Sequence, residues 1–244
     1  MTHRWLPPYD DWSARRTRGR HSTKLLCLAP AGDSPAPFAR WPSEVHGVEL
    51  CALRFPGDEE PAWWTRHTTI AAQAVDLAAE LIDRAADADS FGLFGHGSAA
   101  LIVYEVAAHL ARCGTATPNR LFVSGCPSPH LARRRTPMPD SDELLERALT
   151  ACLEWGGNPL PSLLEATERA MRAEALAMRV YEPPGSPWLA TPIEAVSWNL
   201  APSADEAAMA GWAAYGPAAA VALQGSQNAY MDAPDELLKL FAHV

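Results

Sequence analysis

The stretch Phe91-Gly92-Leu93-Phe94-Gly95-His96-Gly97-Ser98-Ala99-Ala100 decides how this chain is read. An apolar run ends among small residues and passes at once into Ala100–Arg112, whose apolar positions recur at helical spacing. A buried strand that turns straight into a helix through small-x-Ser-x-small presents a nucleophile on a strained turn. Small residues flank that turn because strand and helix approach so closely there. Gly95 and Ala99 fit the two small positions. The centre, where a hydroxyl belongs, is Gly97, and the nearest hydroxyl, Ser98, stands one residue late.

Outward from this turn the chain alternates strand and helix. Lys24–Leu28 is a short apolar run ended by Ala29-Pro30-Ala31-Gly32-Asp33, and Val48–Arg54 is a second run closed by Phe55-Pro56-Gly57. Between Thr68 and Ala86, Ile70, Ala74, Leu77, Ala78, Leu81 and Ile82 mark one face of a helix. Arg120–Gly125, Pro192–Trp198 and Ala219–Leu223 read as further strands, and Ala204–Tyr215 and Pro234–His243 as helices. This rhythm predicts an α/β fold with a doubly wound, mostly parallel sheet. Residues 141–181 are helical in pattern without a strand, broken at Gly156-Gly157-Asn158-Pro159, and are expected to form a lid over the strand ends. The expected organisation is an N-terminal arm, 1–23, packed on the surface of a single domain, 24–244, that carries this lid.

The bulk numbers narrow the function. With 20 Lys and Arg against 29 Asp and Glu, the net charge of −9 argues against nucleic acid as a partner. No apolar stretch approaches the roughly 18 residues of a membrane span, and the basic N-terminus lacks the apolar centre of a secretory signal. Five scattered cysteines, with no C-x-x-C pair and no histidines at ligand spacing, predict reduced thiols in a cytoplasmic protein without metal or cofactor. Cys27 and Cys51, in apolar runs, are expected to be buried.

Many ordered local matches then point to one family. Leu25–Leu28 with Ala31-Gly32, Phe55-Pro56-Gly57, Phe94-Gly95-His96 followed by Ala100 and Tyr104-Glu105, Leu121–Gly125 with Ser128-Pro129-His130, and Pro139-Asp140 with Gly156–Pro159 resemble the type II thioesterases of polyketide and non-ribosomal peptide biosynthesis. The resemblance runs from Lys24 to Phe241 and implies the α/β-hydrolase fold. It also implies a Ser–Asp–His triad, and all three positions differ here: Gly97 at the nucleophile, Ala201 at the acid and Gln227 at the base. A glutamine amide has no lone pair basic enough to take a proton from serine near neutral pH.

The residues left to do chemistry are few. The resemblance assigns an oxyanion-binding corner to the backbone amides of Ala31, Gly32 and Ser98. Asp33, His96 and Ser98 are the candidate catalytic side chains, each with a plain structural alternative: a turn residue, a packed histidine and a helix-start hydroxyl. Tyr104, His130, Trp198, Asn199, Gln227, Asn228 and Tyr230 are candidates for the pocket, and Trp188 is a further indole beside it. Arg133-Arg134-Arg135 is a candidate docking patch for an acidic carrier protein, or a solvated charge run. Three functions are expected in order. The first is non-hydrolytic cyclisation, dehydration or isomerisation of a polyketide or peptide intermediate, carrier-bound or released. The second is a non-catalytic scaffold that binds a carrier or synthase, and the third is residual thioester hydrolysis through Ser98.

Overall fold

The structure, a computed structural model, describes residues 5, 23–30, 37–56, 67–84, 90–115, 117–135, 140–154, 160–183, 188–200 and 205–244. Strands β1 (Thr23–Leu28), β2 (Glu44–Val45), β3 (Val48–Ala52), β4 (Ser90–His96), β5 (Leu121–Ser124), β6 (Ile193–Trp198) and β7 (Ala218–Leu223) form one sheet in the order β2-β3-β1-β4-β5-β6-β7. Every pairing is parallel except the edge hairpin of β2 with β3. Helices α1 (Ile70–Arg84), α2 (Ala99–Cys113), α3 (Pro129–Arg135), α4 (Ser141–Glu154), α5 (Pro161–Arg179), α6 (Glu206–Ala210) and α7 (Asp235–Leu240) connect and cover it. This is the doubly wound α/β architecture that the alternation predicts.

One strand is added to the sequence reading, and two expected helices are corrected. The two-residue strand β2 is too short to leave a periodic signal, and its turn needs positive φ at His46 (51°) and Gly47 (80°). The helix expected over Ala204–Tyr215 is one α-turn, α6, followed by a 3₁₀ segment at Gly211–Ala214. Asp205 caps α6 by accepting from the Ala208 N–H. The closing helix likewise ends in a 3₁₀ turn at Phe241–His243.

Alternation along the strands divides the core between the two faces. Leu26, Leu28, Leu93, Leu121, Val123, Ile193 and Ala195 pack with α1 and α2 on one face. Leu25, Cys27, Phe94, Phe122, Val196, Trp198 and Leu223 pack with Tyr230, Leu237 and Phe241 on the other. Cys27 is buried and Cys51 only partly so, and among the described cysteines Cys113 is exposed at the end of α2. Trp5, from the arm expected on the surface, is 0% exposed and sits in the α1–α2 core. Among the described residues no helix is long and apolar enough to cross a membrane.

Helices α4 and α5 form a hairpin with a small core of its own: Leu144, Ala148 and Met171, with Leu164 against them. The hairpin returns to the domain at Tyr181, whose hydroxyl donates to Glu105 Oε1 on α2 at 2.8 Å. Both residues are 3% exposed. Burial pushes the Glu105 carboxyl up, opposed by the Tyr181 hydrogen bond and by Arg112, and burial together with Glu105 pushes the Tyr181 phenol up. Tyr181→Phe strips a buried carboxyl of this donor and is expected to lower stability by about 1–3 kcal/mol. Urea unfolding measures it, and the loss should largely disappear in a Glu105→Ala background. Equal losses in both backgrounds would show that the pair does not hold the hairpin's return.

Candidate functional site

The turn read from sequence is present. The β4 strand ends at His96, Gly97 takes φ +53°, Ser98 is already right-handed helical (φ −59°, ψ −30°), and α2 begins at Ala99. Gly95 permits the close approach: a Cβ there would lie 2.6 Å from the Ala99 carbonyl oxygen and 2.7 Å from Ala100 Cα. Backbone atoms cannot rotate away, so this position takes no side chain. The second half of the site comes from the far end of the chain. After β7 the backbone passes Gly225 and Ser226 into a 3₁₀ helix, Gln227–Asp232.

These halves meet at Gly97. A Cβ on Gly97 would stand 3.8 Å from Gln227 Nε2. The same Cβ would lie 2.8 Å from Pro30 Cγ, just beyond β1. The elbow and the segment after β7 are therefore neighbours at this corner, with no side chain on one and an amide on the other. Asn199 stitches this corner together. Its Oδ1 accepts from the Gly225 N–H at 2.8 Å, and its Nδ2 donates to Gln224 Oε1 at 2.6 Å. Asn199 is thus a loop clamp on the approach to Gln227, while Asn228 is exposed.

His96 points to the opposite side of this corner, into the core. It is 0% exposed, stacks on Tyr230 with ring centroids 3.8 Å apart, and places Nδ1 3.0 Å from Ser124 Oγ. Trp198 Nε1 donates to that same Ser124 Oγ at 3.0 Å. Ser124 Oγ has one proton and two lone pairs, so it serves His96 Nδ1 in either tautomer while it accepts from the indole. Burial alone pushes the imidazole down to about 3, so it is neutral near pH 7. His96 Nε2 and Ser98 Oγ are buried, and neither has a hydrogen-bond partner among the described residues.

The remaining candidates divide between the two faces. Trp198 and Tyr230 lie with His96, whereas Trp188 is 62% exposed. Tyr104 is buried on the other face against Trp212 and Tyr215. His130 is exposed near that group, its Nδ1 3.2 Å from Tyr215 Oη and 3.5 Å from Ser128 Oγ. Tyr104 and His130 therefore do not share a floor with Tyr230. Ala31, Gly32, Asp33 and Ala201 lie outside the described residues, as do the side chains of Arg133, Arg134 and Arg135, which form the end of α3. Among the described residues no group of His, Cys, Asp and Glu is arranged to hold a metal ion. Sequence reading missed Ser124, the hub of the His96 network, and Pro30. The signal for Pro30 is its register, since the β1–β4 pairing of Leu28 with Gly95, continued by two residues, brings it level with Gly97.

Comparison with known proteins follows the same lines. A family model described as a thioesterase domain matches residues 23–233. The chain is 26% identical over 202 residues to the thioesterase PikA5 of Streptomyces venezuelae, covering 78% of this chain and 69% of that protein. Its fold is similar to the RedJ thioesterase of the prodiginine pathway in Streptomyces coelicolor (TM-score 0.72, 25% identity, 91% of this chain and 90% of that one). It also matches YbtT, a type II thioesterase from the yersiniabactin pathway (TM-score 0.71, 21% identity, 91% and 92% covered), a likeness of fold alone.

Proposed function

The chain belongs to the thioesterase-domain family, and from that premise we propose that it serves polyketide or non-ribosomal peptide biosynthesis without hydrolysing thioesters. It works instead on a carrier-bound or released intermediate by cyclisation, dehydration or isomerisation, reactions that need no covalent serine ester. One observation supports this reading: Gly97 and Gln227, which the resemblance sets at the nucleophile and base, lie close together, with a Cβ on Gly97 3.8 Å from Gln227 Nε2, and neither carries the side chain that hydrolysis needs. Hydrolysis by this route needs a hydroxyl, a base to take its proton and an acid to orient the base. Glycine supplies no hydroxyl, and a glutamine amide accepts hydrogen bonds but not protons at neutral pH.

The candidates for other chemistry follow from what remains. The first turn of α2, at Ser98 and Ala99, offers backbone N–H groups that favour a developing oxygen charge. In this reading the backbone amides of Ala31 and Gly32 act as the resemblance implies, the Asp33 carboxylate is a candidate catalytic group, and the α4–α5 hairpin serves as the lid that excludes water. The end of α3, with Arg133-Arg134-Arg135, is proposed to meet the acidic carrier.

An acyl thioester of N-acetylcysteamine tests the central claim. Thiol release is expected at the rate without protein, and Ser98→Ala should not change it. Release above that rate that disappears in Ser98→Ala would overturn the proposal and establish hydrolysis through the displaced hydroxyl.

A further inference from the structure

We propose that Pro30 is a second barrier to hydrolysis, independent of the missing triad. Its ring fills the space that the first carbon of a nucleophile at position 97 would need. The inference rests on the reading that hydrolysis has been given up. It adds that restoring the three side chains does not by itself return acyl transfer to the site.

The argument begins in the sheet. β1 and β4 are central parallel neighbours with Cys27 level with Phe94 and Leu28 level with Gly95. Two residues further on, Pro30 comes level with Gly97, at the point where both strands have ended. Pro30 is buried there. A Cβ on Gly97 would approach Pro30 Cγ to 2.8 Å and Cδ to 3.9 Å. Carbon atoms pack best at about 3.5–4.0 Å, so the nearer contact lies well inside the repulsive wall. A long side chain would relieve such a contact by turning aside. A proline ring is tied back to its own nitrogen with φ locked near −65°, and only a small change of pucker is open to it.

The obstruction is specific to the side chain at 97. Gln227 Nε2, at 3.8 Å from the same Cβ, stands at an ordinary contact distance. The close contact of a side chain at 97 is thus with Pro30 and not with residue 227. The φ of +53° at Gly97 adds a strain that any L-residue bears there, with or without the proline.

In the restored reaction the introduced hydroxyl would attack the thioester carbonyl, its proton passing through the introduced imidazole to the departing sulfur. The C–S bond breaks, leaving a free thiol and an ester on the protein. Water then attacks the ester, releases the carboxylic acid and returns the proton to the hydroxyl. No further reactant is required.

Two measurements test the role of Pro30. The first is a double-mutant cycle on thermal unfolding with Gly97→Ala and Pro30→Ala, the latter removing Cγ and Cδ but keeping Cβ. Gly97→Ala alone is expected to lower Tm by about 4–8 °C, and by less in the Pro30→Ala background, where only the positive-φ strain remains. The second compares Gly97→Ser/Ala201→Asp/Gln227→His with the same triple variant carrying Pro30→Ala. Acylation by a short N-acetylcysteamine thioester is read by intact mass and by thiol release. The quadruple variant is expected to acylate at least about tenfold faster than the triple. Additive thermal shifts, or acylation of the triple variant as fast as the quadruple, would overturn the role of Pro30. Hydrolysis by the unsubstituted chain would instead strike the proposed function.

Discussion

Trp5→Ala is expected to destabilise the full chain by about 3–5 kcal/mol, the cost of emptying a fully buried indole site. Trp5 is 0% exposed and lies in the core cluster with Leu28, Leu53, Phe55 and Leu77. Its ring meets that of Phe55 with centroids 5.2 Å apart at 51°. Its polar groups are also matched: Nε1 donates to Asp76 Oδ2 at 2.9 Å, the backbone N–H donates to Glu80 Oε2 at 2.9 Å, and the carbonyl accepts from Arg54 N at 2.8 Å. Backbone bonds survive the substitution, so the loss reports the ring and its one donor. Trp5→Phe keeps an aromatic ring and gives up that donor, and a cost of about 1–2 kcal/mol follows. Urea midpoints for the two variants decide the matter. If Trp5→Ala falls within about 1 kcal/mol of the parent chain, the arm does not contribute to the core.

A second large effect comes from acid. His96 is held at about 3 in the folded chain, against an ordinary value near 6.5 when unfolded. Below pH 6.5 the unfolded chain therefore takes up a proton that the folded chain refuses. The stability tied to His96 is fully present above that pH and is lost progressively as the pH falls toward 3. At pH 4.5 the loss is on the order of 3 kcal/mol. Glu105 acts in the opposite sense. Its raised carboxyl keeps a proton to higher pH in the folded chain, so its contribution falls as pH rises. His96→Phe separates the two, since it keeps a ring against Tyr230 and removes the titration. The stability gap between parent and variant should narrow by that amount from pH 7 to pH 4.5. A gap that stays constant would mean that the imidazole is not held neutral by burial.

The parts that were legible in the sequence are those governed by local pattern. Leu25–Leu28, Leu121–Ser124 and Ile193–Trp198 are apolar runs too short for helices, and the parallel sheet follows from the helices between them. The elbow was legible because a glycine and an alanine must flank it, whatever stands at its centre. What stayed hidden depends on partners far apart in the chain. The Glu105–Tyr181 bond joins residues 76 positions apart, and Ser124 gathers His96 and Trp198 from two neighbouring strands. Trp5 gave no signal because one indole in a basic, unpatterned arm carries no periodicity. Pro30 reads as a loop residue until strand register sets it beside Gly97. Gln227 carries its meaning only through the resemblance, and the structure adds that its Nε2 lies close to the elbow.

The strand order also says how far apart the two halves of the site begin. β4, β5, β6 and β7 follow one another outward from β1. Gly97 follows the strand next to β1, whereas Gln227 follows the strand at the sheet's edge. The chain after β7 must turn back by three strand positions to bring Gln227 beside the elbow, so this corner rests on a return from edge to centre.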